Sequence, residues 1–189
     1  MSIQARRERE RAERERLIVT AARKLAESGG WNAVTTRRLA QEIKYSQPVL
    51  YSHFRGKDAI MAAVAVEGFA DLDAELRAAR ASATDPRQAL ADVSAAYAAF
   101  VERRPALYDA MFTQTVDLPF ATPEAPPALR EAFGELREVV RPLARDADLD
   151  TLTETIWCGL HGLLTLMRGG RLRREGHERR LALLLSRFS

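Results

Sequence analysis

Residues 34–60 read Val-Thr-Thr-Arg-Arg-Leu-Ala-Gln-Glu-Ile-Lys-Tyr-Ser-Gln-Pro-Val-Leu-Tyr-Ser-His-Phe-Arg-Gly-Lys-Asp-Ala-Ile. Thr35 or Thr36 can cap a helix over Arg37–Ile43, with Leu39, Ala40 and Ile43 facing inward. A three-residue turn follows, and Ser46 can cap a second short helix, Gln47–Phe54, whose first turn tolerates Pro48 because the amides there are unpaired anyway. Small Ala40 lets the two helices approach closely, and the spacing predicts that Ile43, Tyr45 and Leu50 fill the wedge between them. The first turn of the second helix is then left outside. It offers Gln47 to bond a base edge, Pro48 and Val49 to meet a thymine methyl, and the Tyr51 phenol to reach a base or a phosphate. Lys57, just after Gly56, adds a cation beside them. Leu50 and Phe54 are assigned to packing and Tyr51 to the outer surface, whereas His53 reads equally well either way. The pattern is that of a helix-turn-helix that reads the DNA major groove.

Upstream, Leu17, Ile18, Ala21, Ala22, Leu25 and Ala26 lie on one helical stripe that Gly29-Gly30 stops. Arg6–Arg16 alternates Arg and Glu at helical spacing, which suits a solvated helix and also an arm along a phosphate backbone. Residues 1–60 hold 13 of the 29 Lys+Arg but 7 of the 26 Asp+Glu, leaving the front at +6 and the remainder at −3. A basic front suits a polyanion.

The run Leu50-Tyr51-x-His53-Phe54-x-x-Lys57, within a pattern extending over about residues 14–64, resembles the DNA-binding domain of the TetR family of bacterial repressors. The resemblance implies a domain division at 1–56 and 57–189, base contacts by Gln47, Pro48 and Tyr51, and phosphate contacts by Thr36, Ser46, His53 and Lys57. Val49 and Arg37 belong to the same candidate surface. The turn position at which the family usually carries glycine is Lys44 here, so a lysine must adopt a left-handed conformation, at a cost of about 1 kcal/mol that the remaining packing can offset, and Lys44 joins the candidate phosphate contacts. The family further implies a rear half that binds a small ligand and forms a C2 dimer.

The rear residues support an all-α reading of about nine helices. Alanine is about one residue in six and strand alternation never persists. A helix from Asp58 to about Ala81 joins the reader to the rear, and Asp85-Pro86 opens another carrying Leu90, Val93, Tyr97, Phe100 and Val101. Tyr97 and Phe100, with Tyr108, Met111, Phe112 and Phe120, are the candidate lining of an apolar pocket for an apolar or aromatic effector, although each alone reads as core. Thr151–Arg168 is apolar on most sides, which predicts burial nearly all round, and a further apolar helix is expected at Leu181–Phe188. Leu160, Leu163, Leu164, Met167, Leu181, Leu184, Leu185 and Phe188 are the candidate dimer residues. Trp157-Cys-Gly-Leu-His161-Gly162 resembles the W-x-x-x-H-G signature of a WHG-type TetR C-terminal domain; Trp157 and His161 share one helix face and read equally as ligand contacts and as core.

Several classes are excluded. Three scattered histidines and a lone Cys158 give no metal spacing and no disulfide, and Asp146, Asp148 and Asp150 lack the glycine and glutamate of a calcium loop. No phosphate loop or nucleophile elbow is present, so neither catalysis nor a cofactor is expected. No run approaches the ~20 apolar residues of a membrane helix, which leads to the expectation of a cytoplasmic protein; the family resemblance implies a bacterial one associated with the nucleoid. The partners implied are a palindromic DNA operator, a small effector and a second copy; the rivals are a ligand-independent DNA-organising protein and an enzyme on the same scaffold.

Overall fold

The computed structural model describes residues 2–116 and 118–188, and these form nine α-helices and no strand. In chain order they are α1 (Ile3–Gly29), α2 (Thr36–Ile43), α3 (Gln47–His53), α4 (Lys57–Ser82), α5 (Pro86–Arg103), α6 (Pro105–Phe112), α7 (Pro127–Val140), α8 (Leu149–Arg168) and α9 (His177–Leu185), with 3-10 turns at Trp31–Ala33 and Arg141–Leu143. They divide into two compact units, one of Met1–Phe69 with Arg104–Pro126, the other of Ala70–Arg103 with Pro127–Ser189.

In the first unit the basic segment and the apolar stripe are one continuous α1. Arg6–Glu10 and Arg11–Glu15 pairs, both at 2.9 Å, run along its solvated half. Its buried side is Ile18, Val19, Ala21, Ala22, Leu25 and Ala26. Leu17, expected on that stripe, sits at its rim and is 43% exposed. Gly30, at φ 72°, ends the helix by returning its amide to the Ala26 carbonyl at 2.7 Å. The core is completed by Leu39, Ala40 and Leu50 and, from α4 and α6, by Ile60, Val64, Leu107 and Met111. Gly68 of α4 is where α6 comes closest, since a Cβ there would lie 2.7 Å from Met111 Sδ and 2.9 Å from Leu107 Cδ1.

In the second unit Val93, Tyr97, Phe100 and Val101 of α5 are buried, as are Leu129, Leu136 and Val139 of α7 and Ile156, Leu160, Leu164 and Met167 of α8. Asp85 starts α5 as expected, its carboxylate accepting from the Arg87 and Gln88 amides. An ion cluster ties the rear of α4 to α7: Arg77 bonds both Asp73 and Glu135, and Arg80 bonds Glu135 at 2.7 Å. The two carboxylates are almost wholly buried, so their burial relies on these guanidinium partners.

The last two helices differ from expectation. The α8 helix is buried on one side only, through Thr153, Ile156, Leu160, Leu164 and Met167, while Cys158 and Leu166 are exposed. Its leucines are distributed around the barrel of the helix, and a single partner layer can cover only one stripe. Helix α9 starts at His177 and stops at Leu185, so Phe188 lies beyond it, half-buried in the final turns. Polar Glu178, Arg179 and Arg180 make up its first turn, which the apolar count alone passed over.

Candidate nucleic-acid interface and sensor residues

Thr35 is the cap of α2, its Oγ1 accepting from the Arg38 amide at 3.2 Å. At the far end Lys44 takes φ 57°, ψ 37°, the left-handed conformation expected at the glycine position. Its amide bonds the Gln41 carbonyl at 3.3 Å and the Tyr45 amide reaches back to Ala40 at 3.0 Å, a Schellman closure that satisfies the last carbonyls of α2. The closure holds Tyr45 outward, 39% exposed, instead of in the wedge; Leu39, Ala40 and Leu50 are buried there and Ile43 is half-buried. Ser46 opens α3 without a side-chain bond to its amides. Beyond it Gln47 and Pro48 are exposed, Val49 is half-buried, and Tyr51 is 54% exposed. Arg37 and Lys44 are exposed beside them and Thr36 is half-buried. The first turn of α3 therefore presents the expected set of base-reading side chains to solvent.

Two of the residues implied as phosphate contacts have internal partners. The His53 side chain is 7% exposed, and its Nδ1 lies 3.3 Å from Glu15 Oε1, which also accepts from Arg11. The end of α3 is thereby pinned to α1. Desolvation pushes the Glu15 carboxyl up, but the hydrogen bonds and charges of Arg11 and His53 together more than offset it and hold the group below its ordinary range. Lys57 is half-buried and donates to the Trp31 carbonyl at 2.5 Å.

That bond leads to two residues that the sequence reading did not single out. Trp31, buried at 6% exposure, donates its indole Nε1–H to the Ala106 carbonyl at 2.7 Å. Glu27 accepts from the Ala106 and Leu107 amides at 3.3 and 3.1 Å, so its carboxylate sits on the positive N-terminal end of α6. The first turn of α6 is thus held by a carboxylate and an indole from the end of α1 and the turn after it. Through Lys57 the same turn anchors the start of α4, directly after the reader helix.

The candidate effector residues fall into two clusters. In the first unit Tyr108 and Phe112 pack at 4.8 Å between ring centroids. Phe112 meets Phe69 edge-on at 5.2 Å, and Phe120 meets Phe69 at 6.0 Å. Met111 is buried nearby against Gly68, and Phe69 is the member of this cluster that the sequence reading left out. In the second unit Trp157 donates to the Tyr97 hydroxyl at 3.1 Å, lies 6.1 Å from the His161 ring and meets Phe133 edge-on at 6.5 Å. Tyr97 and Phe100 are fully buried, Trp157 and His161 half-buried.

Burial pushes the His161 imidazole below its ordinary value. The native chain therefore holds fewer protons at this site than the unfolded chain, whose histidine titrates near about 6.5. The stabilisation is complete above that pH and declines as pH falls below it. His161→Gln is expected to lose less stability than the parent between pH 7.5 and 5.5, read from urea unfolding midpoints; equal losses refute the assignment.

Of the candidate dimer residues, Leu160, Leu164, Met167 and Leu185 are buried in the chain's own core, whereas Leu163, Leu181, Leu184 and Phe188 are half-covered. Leu184 packs its methyls over Gly159, where a Cβ would come within 2.9 Å of them, so this glycine is the close-approach point of α8 and α9. The apolar groups these helices leave outside are Cys158, Leu166, Ala182 and Leu183, the last 58% exposed. Among the described residues no acidic, histidine or cysteine group is arranged to hold a metal ion, and no helix is long and apolar enough to cross a membrane.

A capped helix, a left-handed turn and a short outward-facing helix on a three-helix base define a helix-turn-helix DNA-binding regulator. Comparison with known proteins names the family. The family model of bacterial regulatory proteins of the tetR family matches residues 18–64, and that of the tetracyclin repressor-like C-terminal domain matches residues 90–188. The chain belongs to the TetR family of bacterial transcriptional regulators. The class D tetracycline repressor of Escherichia coli is 42% identical over 50 residues, 26% of this chain and 23% of that repressor; the chain thus matches under a quarter of this curated relative's length. A protein of unknown function from Rhodococcus sp. RHA1 superposes with a TM-score of 0.77 at 23% identity, covering 92% of each chain. The transcriptional regulator FadR from Bacillus subtilis, solved with stearoyl-CoA, gives 0.67 at 14% identity over 90% of this chain and 97% of its own. Both structures share the fold.

Proposed function

We propose that the protein is a homodimeric repressor that binds a near-palindromic operator and is released by a small apolar or aromatic effector. The observation that carries this reading is the solvent-exposed start of α3, with Gln47, Pro48 and Tyr51 outward. Two such helices, one per protomer, enter successive major grooves about 34 Å apart. Gln47, Pro48, Val49 and Tyr51 read bases. Arg37, Lys44 and Ser46 face the backbone, with Thr36 at their edge. His53 and Lys57 act mainly from within, by fixing α3 and the start of α4. The reader module ends near Gly56, and the remainder of the chain senses and dimerises.

Both aromatic clusters are suited to an apolar effector, and the stearoyl-CoA complex of FadR supports such a ligand on this fold. The effector favours a conformation whose reader spacing mismatches the operator, and by linkage the operator weakens effector binding by the same factor. Leu163, Leu166, Ala182 and Leu183 are the dimer contacts this reading favours, with the half-covered Leu181, Leu184 and Phe188 at their margin. The protein acts in the cytoplasm and catalyses no reaction.

The test is binding to the duplex upstream of its own reading frame at about 150 mM salt with excess random duplex, conditions under which phosphate attraction alone does not hold. Competitor-resistant binding with two protomers per site supports the reading; binding that random duplex abolishes, followed by failure to enrich any sequence from a random pool, overturns it. Lys44→Gly separates fold from contact. Relief of the left-handed lysine is expected to raise stability by about 1 kcal/mol, while loss of the cation weakens every duplex alike and lowers the salt slope by about one per protomer. A change in sequence preference contradicts the phosphate role.

A further inference from the structure

The side chain of Tyr45 is expected inside the helix-turn-helix and is found outside it. Lys44 takes φ 57° and the Tyr45 amide bonds the Ala40 carbonyl at 3.0 Å, and with the turn closed in this way the tyrosine is left 39% exposed. It directly precedes Ser46, the cap residue of α3. From that position an apolar side chain commonly lies against the fourth residue of the helix, which here is the buried Leu50. A ring covered on one side and wet at its tip is how tyrosine is used where an apolar surface meets a polar one. The hydroxyl forms no hydrogen bond among the described residues. Its neighbours decide what it meets. Lys44, Ser46, Gln47 and Pro48 are all exposed, so Tyr45 lies within the run of reader residues and has a cation next to it in the chain. Such a surface is complementary to a polyanion. Tyr51, 54% exposed, stands four residues after Gln47 and shares its helix face. Tyr45 lies ahead of the helix, outside that register and beside Lys44, which favours the DNA backbone over a base edge as its partner.

We propose that Tyr45 is a phosphate contact of the DNA reader: its hydroxyl donates to a backbone oxygen and fixes the depth and register of α3 in the groove without reading a base. Neither the motif nor the family resemblance assigns this residue a contact. The proposal rests on DNA binding by the helix-turn-helix and is independent of the effector, the dimer and the operator's sequence.

The experiment compares the full-length parent with Tyr45→Phe by fluorescence anisotropy, on a random duplex and on the duplex selected as operator, at two salt concentrations. Tyr45→Phe is expected to weaken both duplexes by the same factor, about tenfold for each protomer bound, the loss of one hydrogen bond to a charged group. The salt slope is expected to stay the same, because a neutral hydroxyl displaces no counterion; this separates Tyr45 from Lys44, whose removal lowers the slope. An unchanged urea unfolding midpoint shows that the ring alone serves the fold. Operator duplexes carrying single methylphosphonates then locate the contact. At one position in each half-site the modification costs the parent more than it costs Tyr45→Phe, which already lacks the donor, whereas a purely structural tyrosine leaves the two profiles identical. Equal affinities of the two proteins for random duplex, identical methylphosphonate profiles, or an altered base preference in Tyr45→Phe overturn the proposal. If the parent selects no operator, the operator reading fails by itself, and the comparison on random duplex still decides the role of Tyr45.

Discussion

Trp31→Ala is expected to lower the unfolding free energy by about 3–5 kcal/mol, the usual cost of deleting a buried tryptophan, whereas Trp31→Phe is expected to cost about 1–2 kcal/mol. The two numbers separate what the residue does. Its ring is buried between the end of α1 and the first turn of α6, and its indole N–H satisfies the Ala106 carbonyl. Phenylalanine keeps most of the apolar area but leaves that carbonyl without its donor, so only the hydrogen-bond part is lost. Urea unfolding followed by circular dichroism reads both values, provided that the slope with denaturant is unchanged. The more informative readout is operator affinity at a temperature where both proteins remain folded. Trp31 holds Lys57 at its carbonyl and Lys57 opens α4 directly after the reader helix, so Trp31→Phe is expected to weaken operator binding although it touches no DNA. Wild-type affinity in a stably folded Trp31→Phe protein restricts Trp31 to the core. Glu27→Gln probes the other half of the grip: the two α6 amides bond different carboxylate oxygens, so the substitution keeps an acceptor for one, turns an NH2 donor toward the other and removes the charge that the helix end attracts, a loss of about 1–3 kcal/mol.

How much of this was legible in the sequence depends on distance along the chain. The helix-turn-helix could be read almost completely, because its determinants are local: a threonine cap three residues from its amide, a left-handed turn at a fixed offset, a proline in a first turn. Asp85 announced its helix in the same way. Glu27 and Trp31 were not legible. Their partners lie 75 to 80 residues away, and no periodicity marks a glutamate and a tryptophan at the end of a helix as the seat of another. His53 and Lys57 show the complementary limit: the motif gave their positions, but only the packing shows that one turns to Glu15 and the other to a backbone carbonyl. In α8 and α9 the apolar residues outnumber the places in one protomer's core. Composition shows the surplus but not which leucines carry it; the helical phase does, placing Leu160 and Leu164 inside and Leu166 and Leu183 outside.

Gln47→Ala is expected to reduce affinity for the selected operator by about 1–3 kcal/mol per protomer, hence at least tenfold for a dimer, while leaving affinity for random duplex within about twofold. The asymmetry follows from where the side chain is. Gln47 is exposed at the first position of α3, with no bond to the rest of the chain among the described residues. Truncation therefore costs the fold little, and whatever is lost is lost at the base edge. An amide that bonds a base bidentately is worth nothing on a duplex presenting the wrong edge, so the specific term falls and the phosphate term stays. Tyr51→Phe isolates a second contact on the same face, since it removes a hydroxyl from a ring already half in solvent. Measured together by competition against random duplex at two salt concentrations, the two substitutions lower the specificity ratio without altering the salt slope. Equal losses on operator and random DNA instead assign Gln47 to the backbone, and move base reading to another part of α3 or to the arm that precedes Leu17.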